Sequence, residues 1–239
     1  MRNAILTLAV VMLSLTQAQA QYGELTDLKI LKPDDTKHVE STPAPDGAIV
    51  LFDGKSLDKW IKSDGKGEAT WKVVDGIMQA DKGSIMTKDK FDGSFKLHAE
   101  FRVPYVPGGK GQARGNSGIY VQGRYEVQVL DSYGVESQKN DCGAIYEVAA
   151  PAKNVCKAPT VWQSYDIEFT APKFENGKKT EPARMTVYHN GVKIHDDVKI
   201  PVDNTRSGLG GDPSTPGPFM LQDHGHPVQF RNIWLVKSK

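Results

Sequence analysis

From Gly115 to Ser132 the chain reads Gly-Asn-Ser-Gly-Ile-Tyr-Val-Gln-Gly-Arg-Tyr-Glu-Val-Gln-Val-Leu-Asp-Ser, with apolar and polar residues alternating on both sides of Gly123. Alternation of β-branched and aromatic residues around a glycine turn predicts a β-hairpin with one apolar and one polar face. The loop length decides which residues share a face. A two-residue loop, Gly123-Arg124, would put Ile119 and Val121 on the face of Glu126 and Gln128, which a half-buried sheet resists. A three-residue loop, Gln122 to Arg124, gathers Ile119, Val121, Tyr125, Val127 and Val129 toward the core. It leaves Tyr120, Glu126 and Gln128 on the opposite face, Tyr120 across from Glu126, and is the register predicted here.

The same reading along the chain predicts strands at 48–52, 71–74, 77–80, 95–103, 161–170, 184–189, 192–194, 219–222 and 228–236. Asp75-Gly76 and Asn190-Gly191 supply tight hairpin turns between neighbouring strands. No window has helical periodicity, so short strands with Gly and Pro turns predict an all-β sandwich or jelly roll of antiparallel sheets. Two long irregular pieces interrupt the pattern, 104–115 and 202–218, and loops of that length are commonly functional. Trp60, Trp71, Trp162 and Trp234 are expected in the core rather than as sugar-stacking platforms.

The first twenty residues change the picture. Arg2, the apolar run Ala4 to Leu15 and the small-x-small site Ala18-Gln19-Ala20 predict a signal peptide, and hence a periplasmic or secreted protein with no membrane span after cleavage. Residues 21–46 carry Pro33, Pro43, Pro45 and several charges around a brief apolar cluster at Leu28 to Leu31, a composition that predicts a flexible leader. A single domain is expected over 47–239. With 30 basic and 29 acidic residues and no cationic cluster, the composition argues against a nucleic-acid partner. In an exported chain the two cysteines, Cys142 and Cys156, predict a disulfide closing a loop of about 15 residues, with roughly 3 kcal/mol of stabilisation.

Several motifs in order carry a family resemblance. Leu51-Phe52-Asp53-Gly54-Lys55-Ser56-Leu57-Asp58-Lys59-Trp60, the Gly115 to Ser132 hairpin, Gly143-Ala144-Ile145-Tyr146 and the segment from Leu221 to Trp234 resemble the 3-keto-disaccharide hydrolase family, from about Gly47 to the C-terminus. The resemblance implies a concanavalin A-like jelly roll and cleavage of glycosides whose sugar has first been oxidised at carbon 3, downstream of a sugar 3-oxidoreductase. A ketone at carbon 3 acidifies the hydrogen on carbon 2, so the chemistry requires a base, and donors or a metal at the developing enolate oxygen. Glu126, His224 and Arg231 are the candidate catalytic residues, with Glu126 as base. Asn116, Tyr120, Gln128, Asp131 and Gln222 are the candidate substrate contacts. The residues single out no definite cofactor and leave a divalent metal open, for which Asp223-His224-x-His226 offers donors. Two alternatives stand beside this reading. One is a non-catalytic, lectin-like carbohydrate-binding module. The other is a laminarinase-like glycoside hydrolase, to whose Glu-x-Asp-x-x-Glu strand Glu126 to Asp131 is similar, with Gln128 at the central carboxylate. Glu126 and Asp131 have opposite strand parity, which disfavours a two-carboxylate displacement.

Overall fold

The computed structural model describes residues 22–23, 25 and 27–238, so the signal-like first twenty residues lie outside it. Fifteen strands follow in chain order: β1 (Ile49–Phe52), β2 (Trp60–Lys62), β3 (Lys72–Val74), β4 (Ile77–Gln79), β5 (Ile85–Thr87), β6 (Ser94–Arg102), β7 (Asn116–Val121), β8 (Tyr125–Leu130), β9 (Gln163–Thr170), β10 (Lys173–Glu175), β11 (Lys178–Glu181), β12 (Ala183–His189), β13 (Val192–Ile200), β14 (Met220–Leu221) and β15 (Gln229–Lys237). The only helical turns among the described residues are short 3-10 pieces at Pro33–Thr36 and Gly111–Ala113. The strands form an eight-stranded antiparallel sheet in the order β13-β12-β9-β6-β15-β4-β3, with β1 also on β15, and a five-stranded sheet in the order β2-β5-β14-β7-β8. This is the jelly-roll sandwich expected from the pattern. One core fills the space between the sheets. Phe95, Leu97, Phe101, Ile167 and Phe230 from the larger sheet meet Ile119, Val121, Tyr125, Val127 and Val129 from the smaller.

The hairpin has the predicted register, with Tyr120 opposite Glu126 and Val121 opposite Tyr125. Gln122 and Gly123 both take positive φ, which closes the three-residue loop. Asp75-Gly76 and Asn190-Gly191 also sit at positive φ in their turns, as two-residue hairpin loops require. The alternation did not reveal β2, β5 or the β10–β11 hairpin, each only three or four residues long. Trp60, Trp71, Trp162 and Trp234 are all buried, as expected.

Two expectations are corrected. Residues 21–46 do not hang free of the domain over their described part. Leu25, Leu28 and Ile30 pack on Tyr133, Ala158 and Val161, and the backbone of Val39 bonds Trp162 O at 3.1 Å. Ser41 and Thr42 cross the outer face of the larger sheet, where Ser41 Oγ donates to Glu100 Oε1 at 2.5 Å and Trp234 Nε1 donates to Thr42 O at 3.1 Å. The leader's composition is poor in apolar residues, but its polar groups satisfy buried polar groups of the sheet beneath. The second correction concerns the cysteines. Cys142 and Cys156 are buried free thiols rather than a disulfide, and Cys142 Sγ faces the Tyr165 hydroxyl at 3.0 Å.

Candidate active site

The polar face of the β7–β8 hairpin is as buried as its apolar face. Asn116, Tyr120, Glu126 and Gln128 are each at most 3 % exposed, because three connections fold over them. The 3-10 turn Gly111–Ala113 brings in Gln112, whose Oε1 accepts from Gln128 Nε2 and Asn116 Nδ2, both at 3.1 Å. Along the outer edge of β8, residues 143–146 add backbone bonds: Gly143 N to Gln128 O at 2.9 Å, Gln128 N to Ala144 O at 3.0 Å and Tyr146 N to Glu126 O at 3.1 Å. Beyond them Thr205 docks on the same strand, its Oγ1 accepting from Glu126 N at 3.0 Å and donating to Arg124 O at 2.9 Å. On the opposite side β14 pairs with β7, and Gln222 N continues the ladder to Gly118 O at 2.9 Å.

These elements enclose a cleft of about 330 Å³ lined by Gln112, Asn116, Tyr120, Glu126, Gln128, Tyr146, Arg206, Ser207, Gln222 and His224. Six residues expected from sequence are therefore brought together: Asn116, Tyr120, Glu126, Gln128, Gln222 and His224. The Tyr120 hydroxyl donates to Arg206 O at 3.2 Å and accepts from Gln222 Nε2 at 3.1 Å. His224 is exposed at the cleft mouth.

Glu126 forms no ion pair among the described residues. Burial pushes its carboxyl up to about 8; the adjacent Tyr120 phenol opposes that rise, and the negative charge of Glu147 adds to it. Room for the carboxyl comes from Gly118, where a Cβ would collide with Glu126 Oε1. Asn116 Oδ1 and Gln128 Oε1 are buried without a hydrogen-bond partner. The lining thus offers an unneutralised carboxyl, two phenols, an imidazole, a guanidinium and amides with spare acceptor capacity.

Two expected residues are elsewhere. Arg231 lies on β15 in the larger sheet, because the chain crosses between sheets after His224; there it pairs with Glu100, Nε to Oε2 at 2.6 Å, and its guanidinium stacks 4.2 Å from the Trp162 ring. Asp131 falls just past β8 and is held by Arg114 through contacts of 3.0 and 3.1 Å. With Asp131 so engaged, the laminarinase-like carboxylate pair does not form. Gln112, Tyr146, Arg206 and Ser207 were missed, although Gln112 and Arg206 sit in the two long loops that the sequence marks as functional.

The suggested metal donors at 223–226 do not converge. Asp223 accepts from the backbone N–H groups of Gly83 and Gly225 at 2.7 and 2.8 Å, and the His224 and His226 ring centroids are 6.5 Å apart. Among the described residues the only group of three metal-ligating side chains is Cys142, Cys156 and His189, away from the cleft.

Comparison with known proteins fits this geometry. Residues 47–236 match the family described as the 3-keto-alpha-glucoside-1,2-lyase-like domain. A crystal structure of a candidate glycosyl hydrolase from Parabacteroides distasonis ATCC 8503 superposes with a TM-score of 0.73 at 40% identity, over 82% of this chain and 86% of that one. Two further candidate glycosyl hydrolases from the same organism superpose with TM-scores of 0.57 and 0.55 at 20% and 23% identity, covering 81% and 80% of this chain and 94% and 99% of theirs; at that identity they show a shared fold. No curated protein sequence matches the chain significantly. On the match across 47–236, the chain belongs to the 3-keto-alpha-glucoside-1,2-lyase-like family.

Proposed function

We propose that the protein is an exported enzyme that cleaves the glycosidic bond of 3-keto-glycosides, with Glu126 as the base. The observation that carries this reading is a buried carboxyl, with no cation paired to it, on the floor of a polar cleft. Structural carboxylates in this protein have cationic or multiple amide partners, as Asp131 and Glu100 do. A carboxyl raised to about 8 matches the task of removing a proton made acidic by a neighbouring ketone.

In the reaction, Glu126 takes the proton from carbon 2 and the electron pair forms the enolate with the carbon 3 oxygen. Collapse of the enolate breaks the bond from carbon 1 to the aglycone oxygen and leaves an enone. His224, at the mouth, donates a proton to the departing oxygen; water then adds to carbon 1 and a proton returns to carbon 2. Arg206, rather than Arg231, is the lining cation available to the enolate oxygen. Asn116 and Gln128, with unpartnered amide oxygens, accept hydrogen bonds from sugar hydroxyls. The substrate's ketone implies an upstream sugar 3-oxidoreductase. Export is supported by the signal-like residues 1–20.

The test is to assay a defined 3-keto-disaccharide beside its unoxidised parent, in deuterated water. Product from the oxidised sugar alone, with deuterium at carbon 2, is the expected result. Binding without turnover would make the protein a carbohydrate-binding module instead. Near-normal turnover in Glu126→Gln would remove Glu126 from the base role.

A further inference from the structure

Behind the hairpin, on the side away from the cleft, Cys142, Cys156 and His189 converge from three separate parts of the chain: the segment after β8, the segment before β9 and the end of β12. One donor atom from each lies within 4.8 Å of the other two, and all three residues are buried. We propose that these side chains form a binding site for one thiophilic d10 cation, Zn²⁺ or Cu⁺. This inference does not depend on the reading of the cleft.

The donor chemistry selects the ion. Two sulfurs and one imidazole nitrogen are the soft and borderline ligands that zinc and cuprous ions prefer over calcium or magnesium. A disulfide would account for the sulfurs and leave the imidazole unexplained. The hydrogen bonds around His189 also prepare it as a ligand. Gln163 Oε1 accepts from the backbone N–H of Lys157 at 2.8 Å, which fixes that atom as an oxygen. His189 Nε2, 3.0 Å from the same oxygen, must therefore carry a proton and donate it, leaving Nδ1 as the ring nitrogen with a free lone pair. A ligating histidine whose other nitrogen donates to a fixed acceptor is the usual arrangement around bound metals.

Charge and access agree. Two thiolates with Zn²⁺ sum to zero, which a site shielded from water tolerates far better than a bare ion. Binding releases both thiol protons, and no other bond is made or broken. Cys156 lines a second cleft of about 420 Å³, together with Asp35, Tyr133 and Lys157, through which an ion and a fourth, water ligand can enter. The Tyr165 hydroxyl bridges Gln128 O at 2.8 Å and Cys142 Sγ at 3.0 Å, and its proton can serve a thiolate sulfur. An ion here would therefore fasten residues 142–156 to the strand that carries Glu126.

The test uses the full mature chain, purified without reductant or chelator, in native mass spectrometry and elemental analysis. One arm reconstitutes with Zn²⁺ and the other with Cu⁺ under anaerobic conditions. The expected result is one equivalent of one of these ions. Its removal by a thiophilic chelator should lower the melting temperature, which re-addition restores. Substitution with Co²⁺ should give a thiolate charge-transfer band that is absent in Cys156→Ser, and His189→Asn should weaken binding tenfold or more. Two results on the unmodified protein would overturn the proposal. One is a mass lighter by two hydrogens with no metal, which means a disulfide. The other is two titratable thiols that take up none of the three ions.

Discussion

Glu100 and Glu126 are both buried glutamates on central strands, and their surroundings drive them in opposite directions. Glu100 is 0% exposed, and its oxygens accept from Arg231 Nε at 2.6 Å, Asn232 Nδ2 at 2.7 Å, Ser41 Oγ at 2.5 Å and Thr42 N at 3.2 Å. Burial alone would raise its pKa, but the hydrogen bonds from His98, Ser41, Asn232 and Arg231 together pull it down to about 2. Glu126, equally hidden, lacks such partners and is pushed up to about 8. Burial alone thus does not fix a carboxyl's affinity for its proton; the completeness of its hydrogen bonding does.

The comparison breaks first at Glu100. Replacing it with Ala strands Arg231 against Trp162 without its counter-charge, and should cost about 3–5 kcal/mol of unfolding free energy in urea titrations. The opposite outcome is expected at Glu126. Glu126→Gln should lower turnover of a 3-keto-disaccharide by about 10²-fold or more with affinity little changed. The same variant should be the more stable protein at pH 8, by on the order of 4 kcal/mol. The sign follows from the raised folded-state pKa: below about pH 4.5 folded and unfolded chains both hold the proton, and between there and about 8 only the folded chain does, so stability declines as pH rises. Glu100 behaves in reverse, its contribution being present above pH 4.5 and lost as pH falls toward 2. Melting curves across pH for the two variants separate these contributions. For activity, kcat/KM should rise about tenfold per pH unit up to a midpoint near 8.

Removing residues 21–46 should destabilise the domain by about 2 kcal/mol, because Ser41 and Thr42 leave Glu100 and a small apolar cluster is uncovered. An unchanged melting temperature would show that those bonds are replaced by water at no cost. The smallest expected effect is at Gly118, where Gly118→Ala should displace the Glu126 carboxyl, lowering kcat several-fold while costing about 1 kcal/mol.

What could be read from the sequence follows the range of the interactions. The hairpin register was legible because its alternation is local, and it put Tyr120, Glu126 and Gln128 on one face; that Asn116 shares this face is seen in the structure. Gln222 and His224 were legible through the family motif. Arg231, in the same motif, was not, since nothing local shows that the chain changes sheets between His224 and β15. The leader was misjudged for a related reason: its composition says how little apolar surface it can bury, while the partners of Ser41 and Thr42 lie 58–59 residues away at Glu100 and 190–192 away at Asn232 and Trp234. Tyr146 and Arg206 arrive on loops that fold back over β8. A polar strand face of this kind must find cover or solvent, and the length of 202–218 was the available hint.

The turn that sets the hairpin register also carries Arg124, only 4 % exposed. Its guanidinium donates to the main-chain oxygens of Gly210, Asp212 and Thr215, at 3.3, 2.7 and 3.0 Å, with side-chain contacts at Thr215 Oγ1 and Gln122 Oε1. The grip is mostly on backbone carbonyls, which every residue type supplies. Side chains in the 202–218 loop are therefore free to diversify without loosening its anchor. Residues of this loop that face the cleft can change while the Glu126 strand stays in register, so the loop is an interchangeable cassette on a fixed chassis.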